Sequence, residues 1–199
     1  MADMLLSADQ IRFEREQGRL TIEPFDEARL KPASYVLALG ARFRRWRRGA
    51  EPVALWSAAA AAGRLDDAFS ADTLVLQPGE FVLGCTAEAV GLSGALHGSI
   101  SPLSHVARFG LAIHCGADFI NPGFGEKMPT VLTLELVNHN PSPIALSAGM
   151  PITHFRVGRV QGAAAAPRAR SVYEGADPLV EPRLFEEWNG QAGEEAGAC

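Results

Sequence analysis

Ile120-Asn121-Pro122-Gly123-Phe124, followed by Val131-Leu132-Thr133-Leu134-Glu135-Leu136-Val137, is the stretch whose reading decides the fold. Proline beside glycine supplies turn chemistry, and the runs on either side read as β-strands. Just upstream, Ser104-His105-Val106-Ala107-Arg108-Phe109-Gly110-Leu111 sets a hydroxyl and a guanidinium into an apolar region. The polar groups therefore fall at strand ends and turns, where sites are built.

Working outward, β-branched and apolar runs recur from Thr73 to Val160 between turn signals at Pro78-Gly79, Pro122-Gly123, Asn140-Pro141 and Ala148-Gly149. That is the rhythm of an antiparallel sandwich or barrel, with no helix-period segment to interrupt it. Ser7 before Asp9-Gln10-Ile11, with Gly18 behind, predicts a capped amphipathic helix that closes one end of the barrel. Ser57 to Ala62 reads either as a short helix or as a variable insertion. Arg42-Phe43-Arg44-Arg45-Trp46-Arg47-Arg48 alternates, which puts its arginines on two faces and suits a solvated edge strand that blocks aggregation. Beyond Val160, Gly162 to Pro167 is linker-like and leads to a Pro-punctuated tail, with Gln191 to Cys199 reading as disordered. The division is a β domain over 1–160 and a C-terminal extension over 161–199.

At 199 residues, 47% hydrophobic, the chain is long enough to bury one sizeable core. A net charge of −5 argues against a general nucleic-acid binder. Cys85, Cys115 and Cys199 lack CxxC spacing and an even disulfide framework, so a reducing, cytoplasmic setting fits. No apolar run approaches a membrane span, and the amino terminus has no signal pattern.

The ordered series of segments resembles the dCTP deaminase branch of the dUTPase-like superfamily. Members carry Ser-Ser-Leu-Ala-Arg-x-Gly, then Ile-Asp-Pro-Gly-Phe, then a Leu-Glu-Leu strand, matched here by Ser104 to Gly110, Ile120 to Phe124 and Leu134 to Leu136. The resemblance continues in Leu5 to Ile11, Gly18-Arg19-Leu20, Ile22 to Phe25, Pro32 to Tyr35, Gln77 to Gly84, Pro143 to Ile152 and Ser171 to Gly175. It implies a mainly β, dUTPase-like distorted barrel or jelly-roll-type sandwich with short flanking helices. It also implies a cytoplasmic homotrimer with sites between subunits.

On pattern alone, Glu135 either faces solvent by alternation or is held in a partly dry site. The resemblance places it on the glutamate that acts as base and proton shuttle, a task that a raised carboxyl pKa suits. Arg108 reads as a structural ion pair or, by resemblance, as the arginine that fixes the water and base environment. Ser104 is a turn-former or a substrate contact, and His105 stands where a second serine contacts phosphate. Ala117 matches a small residue whose carbonyl lies near the reacting water, with Gly116 keeping the backbone accessible. Asn121 takes the place of an aspartate on the deoxyribose hydroxyl, and Tyr173 belongs to a closing tail. Zinc deamination needs HxE and PCxxC segments, which this chain lacks. Its five histidines show no ligand spacing, and each reads as a satisfied structural residue. Magnesium is expected with a triphosphate substrate by resemblance, and no zinc.

The chain departs from the pattern where phosphate is gripped. Leu103 replaces a lysine or arginine, Val172 and Ala176 replace a lysine and a glutamine, and Val36 replaces an acidic residue. Each lost charge-assisted bond removes about 1.5–3 kcal/mol unless His105, Arg168, Arg170, Arg183 or Lys127, in the extra residues Gly125 to Pro129, replaces it. The resemblance implies zinc-free deamination of dCTP to dUTP and ammonia. The alternatives are a deaminase of a modified or less phosphorylated nucleotide, a dUTPase-type diphosphatase, and a non-catalytic nucleotide-binding protein.

Overall fold

The computed structural model describes residues 5–49, 51–55, 63–161, 173 and 176–183. The Ala-rich segment at 57–62, Val172 and the chain end at 191–199 lie outside the described residues. In chain order the elements are α1 (Ala8–Glu16), β1 (Leu20–Glu23), a 3-10 turn (Glu27–Arg29), β2 (Leu30–Lys31), β3 (Ser34–Arg45), β4 (Phe69–Ser70) and β5 (Thr73–Leu76). They continue with β6 (Phe81–Leu92), β7 (Leu96–Pro102), α2 (Ser104–Arg108), β8 (Leu111–Ala112), β9 (Phe119–Ile120), β10 (Thr130–Asn138), β11 (Ile144–Ser147) and β12 (Pro151–Arg159).

Ten strands form one antiparallel sheet ordered β8-β10-β6-β3-β12-β7-β9, with β1 added to β6 and β2 and β4 to β3, while β11 pairs β5 separately. The edges β8 and β9 are consecutive in the chain, ending at Ala112 and resuming at Phe119. A flat row of seven strands is about 29 Å wide at ~4.8 Å per step, whereas seven Cα steps reach at most about 25 Å. The sheet therefore has to curl, and the chain is mainly β, as the sequence implied.

Inside the curl, alternation along β10 buries Leu132, Leu134 and Leu136 and leaves Val131, Thr133, Glu135 and Val137 half-buried on the other face. Burying each leucine stabilises the fold by about 1.5–3 kcal/mol. Tyr35, Phe43, Phe155, Leu39, Leu92 and Ile152 complete the same core. Ser7 caps α1 as expected, in a reciprocal capping box with Gln10. The helix ends in a Schellman pair, Gly18 N–H to the Arg15 carbonyl and Arg19 N–H to that of Glu14, with Gly18 at φ +67°.

Two expectations need correcting. The arginine-rich stretch is not a solvated edge: β3 lies inside the sheet, between β12 and β6. Four of its five arginines are ion-paired, Arg42 with Asp177 at 2.6 Å, Arg44 with Glu181 at 2.8 Å, Arg45 with Glu80 and Arg47 with Asp66, while Arg48 donates to the Pro78 carbonyl. A short helix, α2, does interrupt the strand series; its five residues are a little over one turn, too short to print a 3.6-residue period.

The tail is folded onto this surface. Leu179 is buried against Leu65, Leu83, Trp46 and Phe81, the Arg44 guanidinium donates to the Leu179 carbonyl, and Thr133 Oγ1 donates to the Pro178 carbonyl at 2.6 Å. Arg183 N–H donates to the Tyr173 hydroxyl at 2.8 Å and Ala176 N–H to the Tyr173 carbonyl. The described part of the extension is thus a compact loop seated on β3 and β10.

Candidate active site

Strand β10 carries Glu135 on its half-buried face, opposite Leu83 of β6. On the other side β8 supports it: Val137 pairs Ala112, and Glu135 N–H donates to the Ile113 carbonyl at 3.0 Å. The chain then leaves the ladder. Gly116 turns at φ +101° and donates its N–H to His114 Nδ1 at 3.1 Å. That turn aims Cys115 N–H at Glu135 Oε2, 3.1 Å away.

Burial holds the Glu135 carboxyl above the usual carboxylate range, against the opposing pull of the Cys115 amide and the charge of His114. Burial, then the Glu135 charge, also pushes the Cys115 thiol up, so that it is a poor nucleophile. One carboxylate oxygen is held and the other is available to a water proton. The Cys115 contribution escapes sequence reasoning because it comes from backbone; the nearest signal was Gly116, which marks the turn.

The structure gathers the expected residues into three groups. Ala117 follows Cys115-Gly116 and is exposed beside the base. Ser104, His105 and Arg108 lie exposed on α2, which links β7 to β8, with Val106 as its buried anchor. Arg108 makes no hydrogen bond or ion pair with the described residues, so the structural-pair reading has no support there. Asn121 heads a type II turn, its carbonyl accepting from Phe124 N–H at 3.1 Å with Pro122 in second place and Gly123 third at φ +80°. That turn hangs from Leu92 and Ser93, at the opposite end of β6 from Leu83. Tyr173 is exposed in the tail loop, which meets β10 at Thr133, two residues from Glu135 on the same face. No described hydrogen bond joins Glu135 to Ser104, His105, Arg108, Asn121 or Tyr173 within one chain.

Leu103 is buried in the core and Val36 with it, so these departures are filled by packing rather than left as holes. The histidines are not uniformly satisfied: His154 Nδ1 meets Ser34 Oγ at 3.0 Å, but both ring nitrogens of His97 are buried without partners. Among the described residues no group of three or more His, Cys, Asp or Glu side chains is placed to hold a metal.

Residues 5–160 match the family model described as dCTP deaminase-like. The chain belongs to that family. Among its relatives are the dCTP deaminase, dUMP-forming, of Mycobacterium ulcerans, 39% identical over 155 residues that cover 75% of this chain and 77% of the relative. The protein of the same name from Rhodococcus opacus is 36% identical over 174 residues, covering 84% and 87%. The crystal structure of 2'-deoxycytidine 5'-triphosphate deaminase from Agrobacterium tumefaciens shares the fold, with a TM-score of 0.59 and 21% identity over 80% of this chain and 49% of that one. Membership makes the chain a dCTP deaminase-like hydrolase of nucleotide metabolism. Among the described residues no helix is long and apolar enough to cross a membrane.

Proposed function

We propose that the protein deaminates dCTP hydrolytically, with Glu135 as the base. The observation that carries this reading is a half-buried carboxylate held by one backbone amide, with its second oxygen available and, among the described residues, no ion pair to it. Ionised Glu135 takes a proton from water as the oxygen attacks C4 of cytosine, and delivers it to the ring nitrogen beside C4. The hydroxyl proton of the tetrahedral intermediate then passes through Glu135 to the amino group, which leaves as ammonia as the C4 carbonyl of uracil forms. Water and dCTP give dUTP and ammonia, with no zinc in the step.

Arg108 orients the water and base, the Ala117 carbonyl lies near the water, and Ser104, His105 and Asn121 contact substrate, with Tyr173 in the tail, 161–199, that closes over the site. Because Ser104, His105, Arg108 and Asn121 make no described hydrogen bond to Glu135 within one chain, our reading makes the site composite, between subunits of a homotrimer. Magnesium arrives with the triphosphate rather than in a protein cage, and the enzyme works in the cytoplasm.

The relatives, dCTP deaminases described as dUMP-forming, favour a second reading, in which the product leaves as dUMP. Both readings share the deamination. Incubation of dCTP and magnesium with the protein, following ammonia, pyrophosphate and product mass, separates them. Ammonia with dUTP supports the first, ammonia with pyrophosphate and dUMP the second. Normal ammonia release by a Glu135→Gln variant sinks both.

A further inference from the structure

β12 turns His154 and Arg156 outward, alternating with buried Thr153, Phe155 and Val157. Directly opposite them on β7 stand Ser101 and Ser99, and residues directly opposite share a face of the sheet. On the other flank is β3, whose Ser34 bonds His154 and pairs with Lys31 of β2. His105 reaches the same place from α2: after burial, the groups that act on His154 are Arg156, His105 and Lys31, and each disfavours its imidazolium. None of the four is in an ion pair with a described carboxylate. Arg156 Nε is buried with no hydrogen-bond partner.

Two fixed cations, two histidines and three hydroxyls on one face, none ion-paired to a described carboxylate and one donor unsatisfied, is the chemistry of an anion site. Such crowding costs free energy when empty, since like charges repel, and an anion relieves it. Leu103, where a cation is expected by resemblance, is spent on the core instead. We propose that this face, built by Lys31, Ser34, His105, His154 and Arg156, takes the polyphosphate of the nucleotide, and that its two histidines make the grip strengthen as pH falls. The identity of the ligand rests on the deaminase reading; the anion site itself does not.

The sign follows from linkage. Burial and the neighbouring cations hold His154 below its ordinary range in the free protein. A bound polyphosphate favours the imidazolium, so binding takes up protons and tightens by up to about tenfold per pH unit for each proton gained. Ser99 and Ser101 on β7 and Ser34 on β3 are neutral and leave that sign unchanged.

The test is calorimetric titration of the full-length protein with inorganic tripolyphosphate at pH 6 and pH 8, in two buffers of different ionisation heat, alongside KM and kcat for dCTP. The expected result is proton uptake and at least about fivefold tighter binding at pH 6, although the ligand itself loses charge there. His154→Gln, which keeps a partner for Ser34, and the exposed His105→Ser should each flatten the pH dependence, and Arg156→Gln should raise KM for dCTP with kcat unchanged. A pH-independent affinity, or one unmoved by His154→Gln in a folded variant, overturns the proposal. Tripolyphosphate binding with this pH dependence but no ammonia from dCTP leaves the anion site standing and removes the deaminase reading. Ammonia release with tripolyphosphate affinity indifferent to these variants does the reverse.

Discussion

Glu14, Glu88 and Glu135 are carboxylates drawn away from water, the first two fully and the third by half, and the first two also differ from the third in company. Glu14, fully buried at the end of α1, is clamped by Arg19 at 2.5 Å and by Arg159 of β12. Glu88, 2% exposed, is held by Arg29 at 2.6 Å and by Ala38 N–H at 2.8 Å. Each ties together elements distant in sequence. Glu135 has one amide, no guanidinium and a carboxyl pushed above its usual range by burial. A buried acid with a guanidinium is a rivet; a buried acid without one keeps a proton affinity that a reaction can use.

Replacing Glu135 with glutamine should have the largest consequence, a fall in ammonia release of at least about 10²–10⁴-fold, the usual worth of general acid–base catalysis. Turnover near that of the parent would erase the distinction just drawn. Glu14→Gln should do the opposite: it strands Arg19 and Arg159 beside a buried site and costs about 3 kcal/mol, read as a lowered urea midpoint, while the folded fraction keeps its kcat. A harmless Glu14→Gln would show that the rivet is ornamental.

The acid limb of the rate profile sharpens the same contrast. Because the base must be ionised, kcat should fall about tenfold per pH unit below the raised Glu135 pKa, with the break above the ordinary carboxylate range. Leu179→Ala, which removes the buried plug of the tail, should cost about 2 kcal/mol of local packing. Its readout is faster amide exchange at 176–183 and a KM that rises more than kcat falls. The smallest effect is the most discriminating. A carboxyl whose folded pKa is raised adds no penalty below the unfolded value and destabilises the fold as pH climbs through the folded one. Glu135→Gln should therefore melt slightly higher than the parent at neutral pH, with the gap closing on acidification.

Part of this was legible in the sequence. Period-two alternation around Glu135, the Pro-Gly turns and the Ser7–Gly18 helix signals specify their own local geometry, so β10, the type II turn and α1 followed from residues within one window. The resemblance carried Ser104, Arg108, Asn121 and Glu135 to their positions. The arginine stretch was misread because alternation reports which way side chains point and not whether a strand has neighbours. Asp177 and Glu181, some 135 residues away from their arginines, supply the answer.

What the sequence by itself determined is the repertoire: a β-rich core, a glutamate on a half-buried face, and a family pattern on which we propose that glutamate as a base. Tertiary structure alone decided which charges are neutralised. Sheet order brings Arg19 and Arg159 to Glu14, the turn at Gly116 gives Glu135 an amide and, among the described residues, no ion pair, and the β2-β3-β12-β7 surface collects Lys31, His154 and Arg156 beside His105. The physical reason is that Coulomb and hydrogen-bond energies depend on distances in space, which the pairing of strands sets between residues the chain keeps far apart.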